Sequence, residues 1–232
     1  MGELVLVTGV GPGTGKAIVE CFAGQGYRVA MIARSEPRLK DIANNTPNTY
    51  PFVCDVADET ALTATIDNIR GALGSPKIVI HNAVGAERGT YLEIDPENMR
   101  AAFEVNTMAL LSLAKQLLPD MQAASGGALI ATGNTSAYRG KPRFAGFAPT
   151  KAAQRILLES IAREAGPKGV HVAYVAVDAV IDLDWTRAAF PNKGDEFFCK
   201  PADIANEVLR IAEQPPSAWS FETVIRPFAE VW

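Results

Sequence analysis

The apolar run Leu4-Val5-Leu6-Val7 leads directly into Thr8-Gly9-Val10-Gly11-Pro12-Gly13-Thr14-Gly15, and no other stretch restricts the fold of this chain as much. An unbroken apolar run closed by a turn reads as a strand buried on both faces, which is the habit of a parallel sheet. Beyond the glycines, Ile18, Val19 and Phe22 share one face of a helix that Gly24 and Gly26 terminate. Glycine permits the sharp turn and lets a ligand's phosphates approach the backbone. The helix N-terminus then offers unpaired N–H groups and the positive end of its dipole. A glycine pattern alone is weak, but here a strand precedes it and a helix follows. Gly9, Gly11, Pro12, Gly13, Thr14 and Gly15 are therefore expected to cradle a dinucleotide.

The same alternation continues. Strands are expected at Leu4–Thr8, Arg28–Ala33, Tyr50–Cys54, Lys77–His81, Ala128–Thr132, Val170–Val177 and Thr223–Arg226, and helices at Thr14–Gln25, Pro96–Met121, Phe147–Ala165 and Pro201–Ala212. Right-handed strand–helix–strand crossovers turn such an order into an α/β, doubly wound parallel sheet of the Rossmann type. With 232 residues, 48% of them hydrophobic, the chain fits one domain over 1–232. The irregular stretch Asp182–Lys200 follows the sixth strand, at the carboxyl edge where such sheets bind ligands, and is expected to be a substrate lid. Trp185, Phe190, Phe197 and Phe198 give that lid an apolar bias, which points to a small apolar or aromatic substrate.

A net charge of −4 without a basic tract argues against nucleic acid or an anionic membrane as partner. The apolar runs are too short to span a bilayer, and no secretory leader is expected. Cys21, Cys54 and Cys199 are widely spaced and odd in number, and they form no metal pattern with His81 and His171. That usage suits a reducing cytoplasm.

Thr8-Gly9-x-x-x-Gly13-x-Gly15 resembles the signature of the short-chain dehydrogenase/reductase family, and further landmarks follow along nearly the whole chain. Cys54-Asp55-Val56 resembles the family's Asp-Val pair, which implies that Asp55 and Val56 contact adenine. His81-Asn82-Ala83-Val84 resembles its Asn-Asn-Ala-Gly segment, which implies cofactor contacts from Asn82, Ala83 and Val84. Asn106 matches the helix asparagine that supports a water in the proton relay, and Lys151 the lysine that bonds the nicotinamide ribose. Asp178-Ala179-Val180-Ile181 takes the place of Pro-Gly-x-Ile, which implies that Ala179 and Ile181 pass the nicotinamide.

At the end of the second strand an acidic residue would select NAD; here Ala33 is followed by Arg34 and Ser35. A small neutral residue removes repulsion of a 2′-phosphate, and a guanidinium clamps it. NADP is expected over NAD. The catalytic positions depart from the resemblance. The family's tyrosine place holds Phe147, four residues before Lys151, and its serine place holds Asn134. Phenylalanine has no proton to give, and asparagine bonds a carbonyl but shuttles no proton. Two readings stay open: an NADP-dependent oxidoreductase with an altered site built on Asn106, Asn134, Phe147 and Lys151, or a non-catalytic NADP-binding protein, a sensor or inactive homologue. Thr135, Ser136 and Tyr138 are the nearest replacement hydroxyls. Leucine and isoleucine on several faces of Pro96–Met121 and Phe147–Ala165 predict a homodimer or homotetramer, as the resemblance also implies.

Overall fold

In the computed structural model of the chain, residues 2–124 and 126–229 are described; the expected domain limits, 1 and 232, lie just outside them. Strand β1 (Leu4–Thr8) is wholly buried because its alternate side chains serve two cores. Leu4 and Leu6 pack on one side of the sheet with Leu110, Leu113 and Leu158. Val5 and Val7 pack on the other with Phe22, Ile204 and Val208. A continuous apolar run is the sequence form of that two-sided burial.

The chain continues through α1 (Thr14–Gly24), β2 (Arg28–Ala33), α2 (Glu36–Asn45), β3 (Thr49–Val53), α3 (Glu59–Leu73) and β4 (Ile78–His81). Then come α4 (Pro96–Phe103), α5 (Ala109–Ala123), β5 (Gly127–Gly133), α6 (Ala148–Ala165) and β6 (Val170–Val177). Last are β7 (Val180–Ile181), α7 (Asp184–Ala189), β8 (Phe198–Cys199), α8 (Pro201–Ala212) and β9 (Glu222–Ile225). The seven-stranded sheet has the order β3-β2-β1-β4-β5-β6-β9, and every neighbouring pair in it is parallel. It is the doubly wound α/β sheet expected. The order reverses between β1 and β4, so a crevice opens at their carboxyl ends, between the glycine loop and the turn after His81.

The expected strands agree with the structure to within one residue at each end. Four differences matter. Helices α2 and α3 were not expected: α2 buries only Leu39 and Ile42, too few for a period to show. The expected helix Pro96–Met121 is interrupted by a π-helical turn, Glu104–Met108, which carries Asn106. Phe147 lies outside α6, as its cap. The lid is not irregular throughout, because β7 pairs with β8 and encloses α7.

The apolar helices have a cause inside the chain. Leu110, Leu113, Leu117, Leu118 and Leu158 are all buried in its own core. What stays exposed on these segments is Phe103, Met108 and Ile156. Among the described residues, no helix is long and apolar enough to cross a membrane.

Candidate functional site

The cleft at the switch point has a volume of about 930 Å³. Its floor is the glycine loop. Gly9 has φ +74°, and a Cβ there would lie 2.3 Å from the Ala83 nitrogen, so the loop passes against the turn after β4 with no room for a side chain. Asn82 fastens the two: its Nδ2 donates to the Gly9 carbonyl at 2.9 Å, and its Oδ1 accepts from Thr132 Oγ1 at 2.8 Å. Asn82 thus joins the ends of β1, β4 and β5. No acidic residue stands in the first turn of α1. Thr14 Oγ1, at that helix start, is buried and has no hydrogen-bond partner among the described residues. A buried hydroxyl without a partner carries a desolvation cost that a phosphate oxygen would remove. The cradle therefore fits a dinucleotide.

Gly9, Gly11, Gly13, Thr14 and Gly15 all line this cleft, as do Asn82, Ala83 and Val84 across from them. Pro12 does not; it is exposed at the tip of the turn. At the far end lie Arg34, Asp55 and Val56. The Arg34 guanidinium is 3.8 Å from Asp55 Oδ2, with its side chain 80% exposed, so it is free to turn toward a ligand at little cost. Ser35 and Arg38 line the same end. Arg38 was missed from sequence because helix α2, which carries it one turn beyond Arg34, was itself not foreseen.

On the lid side Ile181 and Leu183 line the cleft, whereas Ala179 does not. Leu183 rests on the glycine loop, its Cδ2 2.8 Å from where a Cβ of Gly13 would stand. The lid is braced by Arg187, which donates to both Asp182 oxygens at 2.6 and 2.9 Å and to Asp195 at 2.7 Å. Asp178 accepts a hydrogen bond from Thr135 Oγ1 and stands 4.0 Å from the Arg226 guanidinium. Its carboxylate is engaged in holding the turn.

The four residues expected at the reacting bond sit behind this cleft and do not line it. Asn106 is fully buried in the π-helical turn, where its side chain pairs with both backbone groups of Gly85 and donates to Thr150 Oγ1 at 2.8 Å. The Asn106 backbone carbonyl accepts from Gln154 Nε2 at 2.8 Å. The Lys151 ammonium is buried and donates to the Thr132 carbonyl at 3.2 Å. Burial pulls its pKa down to about 7, since desolvation penalises the charged form.

Asn134 caps the turn after β5: its Oδ1 accepts from Ser136 N at 3.0 Å, and its Nδ2 has no partner among the described residues. The Phe147 ring is only 2% exposed. It lies 6.2 Å from the Phe144 ring, and the Arg88 guanidinium lies over both, 5.0 Å from Phe144 and 5.7 Å from Phe147.

His81 is the bland case. Its Nε2 donates to the Val105 carbonyl at 3.0 Å, which leaves Nδ1 to accept from Thr8 Oγ1 at 2.9 Å. Burial, and then the charge of Lys151, push its pKa down to about 4, so it is a neutral strut between β1, β4 and the π-helical turn. Tyr138 is not at the cleft. It lines a separate cavity of about 580 Å³ with Ala148 and Ala152. Its ring lies under Arg155, and burial and Glu222 raise its pKa to about 12. Its hydroxyl is engaged with Arg155 and Glu222, and the raised pKa makes it a weaker acid than an activated tyrosine.

Residues 3–192 match the family described as short chain dehydrogenase. The 3-oxoacyl-(acyl-carrier-protein) reductase FabG of Escherichia coli K12 is 28% identical over 232 residues, 96% of this chain and 95% of that one. An alcohol dehydrogenase from the archaeon Thermococcus sibiricus, complexed with 5-hydroxy-NADP, superposes with a TM-score of 0.89 at 24% identity, over 100% of this chain and 99% of that one. A metagenomic short-chain oxidoreductase in complex with NADP gives 0.83 at 25% identity, over 97% of each chain.

Proposed function

The chain belongs to the short-chain dehydrogenase family, and from that premise we propose that it is an NADP-dependent oxidoreductase with an altered active centre, acting on a small apolar or aromatic substrate. The observation that carries this reading is the cradle. A buried, unpartnered Thr14 hydroxyl sits at a helix N-terminus, and Arg34 and Arg38 wait at the far end of the same cleft. The first suits a pyrophosphate and the pair suits a 2′-phosphate. The NADP carried by the metagenomic oxidoreductase agrees with it. When bound, the cofactor supplies or accepts a hydride. This chain's residues would bind and orient it: the glycine loop and Asn82 would form the floor, Asp55 and Val56 would meet the adenine, and Lys151 would bond the nicotinamide ribose.

NADPH is expected to bind more tightly than NADH. Replacing Arg34 removes one charge-assisted phosphate contact, so Arg34→Ala should weaken NADPH at least about tenfold and leave NADH nearly unmoved. Cofactor fluorescence titration measures both; unchanged NADPH affinity sinks the assignment.

A second reading has one observation in its favour. The Phe147 ring is buried beneath Arg88 and carries no proton, which suits a protein that binds NADP and a small molecule without turnover, as a sensor or inactive homologue. Steady oxidation of NADPH by any substrate excludes it.

Assembly as a homodimer or homotetramer belongs to the same proposal. The exposed Phe103, Met108 and Ile156 are the side chains a second copy would cover. Light scattering should give a multiple of the 24.8 kDa chain mass; a value equal to one chain refutes it.

A further inference from the structure

Arg88 is a cation with an aromatic seat and no anion. The loop that carries it, between β4 and α4, is clasped to the segment before α6. Gly89 N donates to the Arg143 carbonyl at 3.1 Å, and Gly89 bridges to Phe144 in parallel register. A Cβ on Gly146 would meet Ile94 Cδ1 at 2.7 Å and Glu87 Cγ at 2.9 Å. The clasp fixes where Arg88 stands, and the two phenyl rings hold its guanidinium.

The acids of α4 and the loop before it are engaged elsewhere, Glu87 excepted. Glu93 accepts from Thr90 N at 2.8 Å and pairs with Arg143 at 3.4 Å. Glu97 pairs with Arg100, and Asp95 caps α4 through Glu97 N at 2.8 Å. Glu87 lines the cleft and accepts only a long bond, 3.4 Å, from Asp95 N. Arg88 has no carboxylate partner among the described residues.

We propose that Arg88 is the substrate-recognition residue of this site, and that the substrate is a small apolar or aromatic molecule bearing a carboxylate. The inference rests on the oxidoreductase reading above and names its substrate class. A guanidinium presents paired N–H donors that match a carboxylate's two oxygens, and Lys offers no such fork. Phe144, partly exposed beside it, gives the hydrocarbon part of such a ligand an apolar edge to rest on. Ala86 and Glu87, immediately before Arg88, line the cofactor cleft, so a ligand held by Arg88 lies at the cleft's edge.

Benzoate is the probe, with benzamide as its neutral counterpart, each titrated calorimetrically into the full-length protein with and without NADP. The native protein should bind benzoate at least about tenfold more tightly than benzamide. Arg88→Met keeps an apolar cover over the rings and should abolish that preference; Arg88→Lys should restore part of it. NADPH affinity should be the same in all three proteins. Native protein that binds benzoate and benzamide alike, or binds neither, overturns the proposal, as does an Arg88→Met variant that keeps the preference. Failure of the cofactor reading shows separately, as absent NADPH fluorescence change, and the titration without cofactor still decides the role of Arg88.

Discussion

Reduction of simple ketones is expected to run about 10²–10⁴-fold slower in this protein than in the double variant Phe147→Tyr, Asn134→Ser, the range a positioned acid or base contributes. The resemblance puts Phe147 at the place of the family's acid, and a phenyl ring has nothing to ionise. The single change Phe147→Tyr should recover only part of the rate. Asn134 spends its Oδ1 on Ser136 N, so only the amide Nδ2 is left for a substrate oxygen. An amide can donate to a carbonyl but cannot pass a proton on as a hydroxyl does. NADPH oxidation followed with cyclohexanone compares the three proteins directly. A native turnover near 10 per second, ordinary for enzymes, would mean that another acid exists. That acid would not be Tyr138, whose hydroxyl belongs to the Arg155–Glu222 side of α6.

What the sequence disclosed and what it hid divide along the range of the interactions involved. The strand positions and the cradle were legible because they rest on local patterns: an apolar run, glycines at a turn, a helix start. Arg34, Asp55, Asn82 and Ile181 fall in the cleft as the motifs imply. Arg38 was hidden with helix α2, which carries it, and Arg88 was not visible because what marks it is a partner far away in sequence. Arg88 meets Phe144 and Phe147 across two loops that no local period describes. The π-helical turn at Asn106 was hidden for the same reason. It is held by Gly85, Thr150 and Gln154 from other parts of the chain, and the apolar period runs straight through it. The leucines of α5 are explained within the chain, since a helix covered by a sheet and by neighbouring helices is apolar nearly all round, so the case for a second copy rests on the exposed Phe103, Met108 and Ile156 instead.

Lys151→Met is expected to raise the stability of the cofactor-free protein while lowering its affinity for NADPH. Lys151 is a buried ammonium that donates to the Thr132 carbonyl and, among the described residues, has no carboxylate partner. Its pKa falls from 10.5 to about 7 on folding. Between those values the unfolded chain holds the proton and the folded chain does not, so stability rises with pH across that window. Below about pH 7 both states are protonated and the folded state bears the full cost of the buried charge. Methionine has nearly the same length and no charge, so its gain should be largest at pH 6, at several degrees in Tm, and should fade toward pH 10. The NADPH affinity should move the opposite way if the lysine bonds the nicotinamide ribose as proposed, since a bound dinucleotide's negative charge would favour its protonated form. Thermal scans at both pH values and cofactor titration at pH 6 test the two halves. A variant that is destabilised equally at pH 6 and pH 10 would show that Lys151 acts by packing alone, and one that binds NADPH as the native protein does would remove Lys151 from the cofactor site.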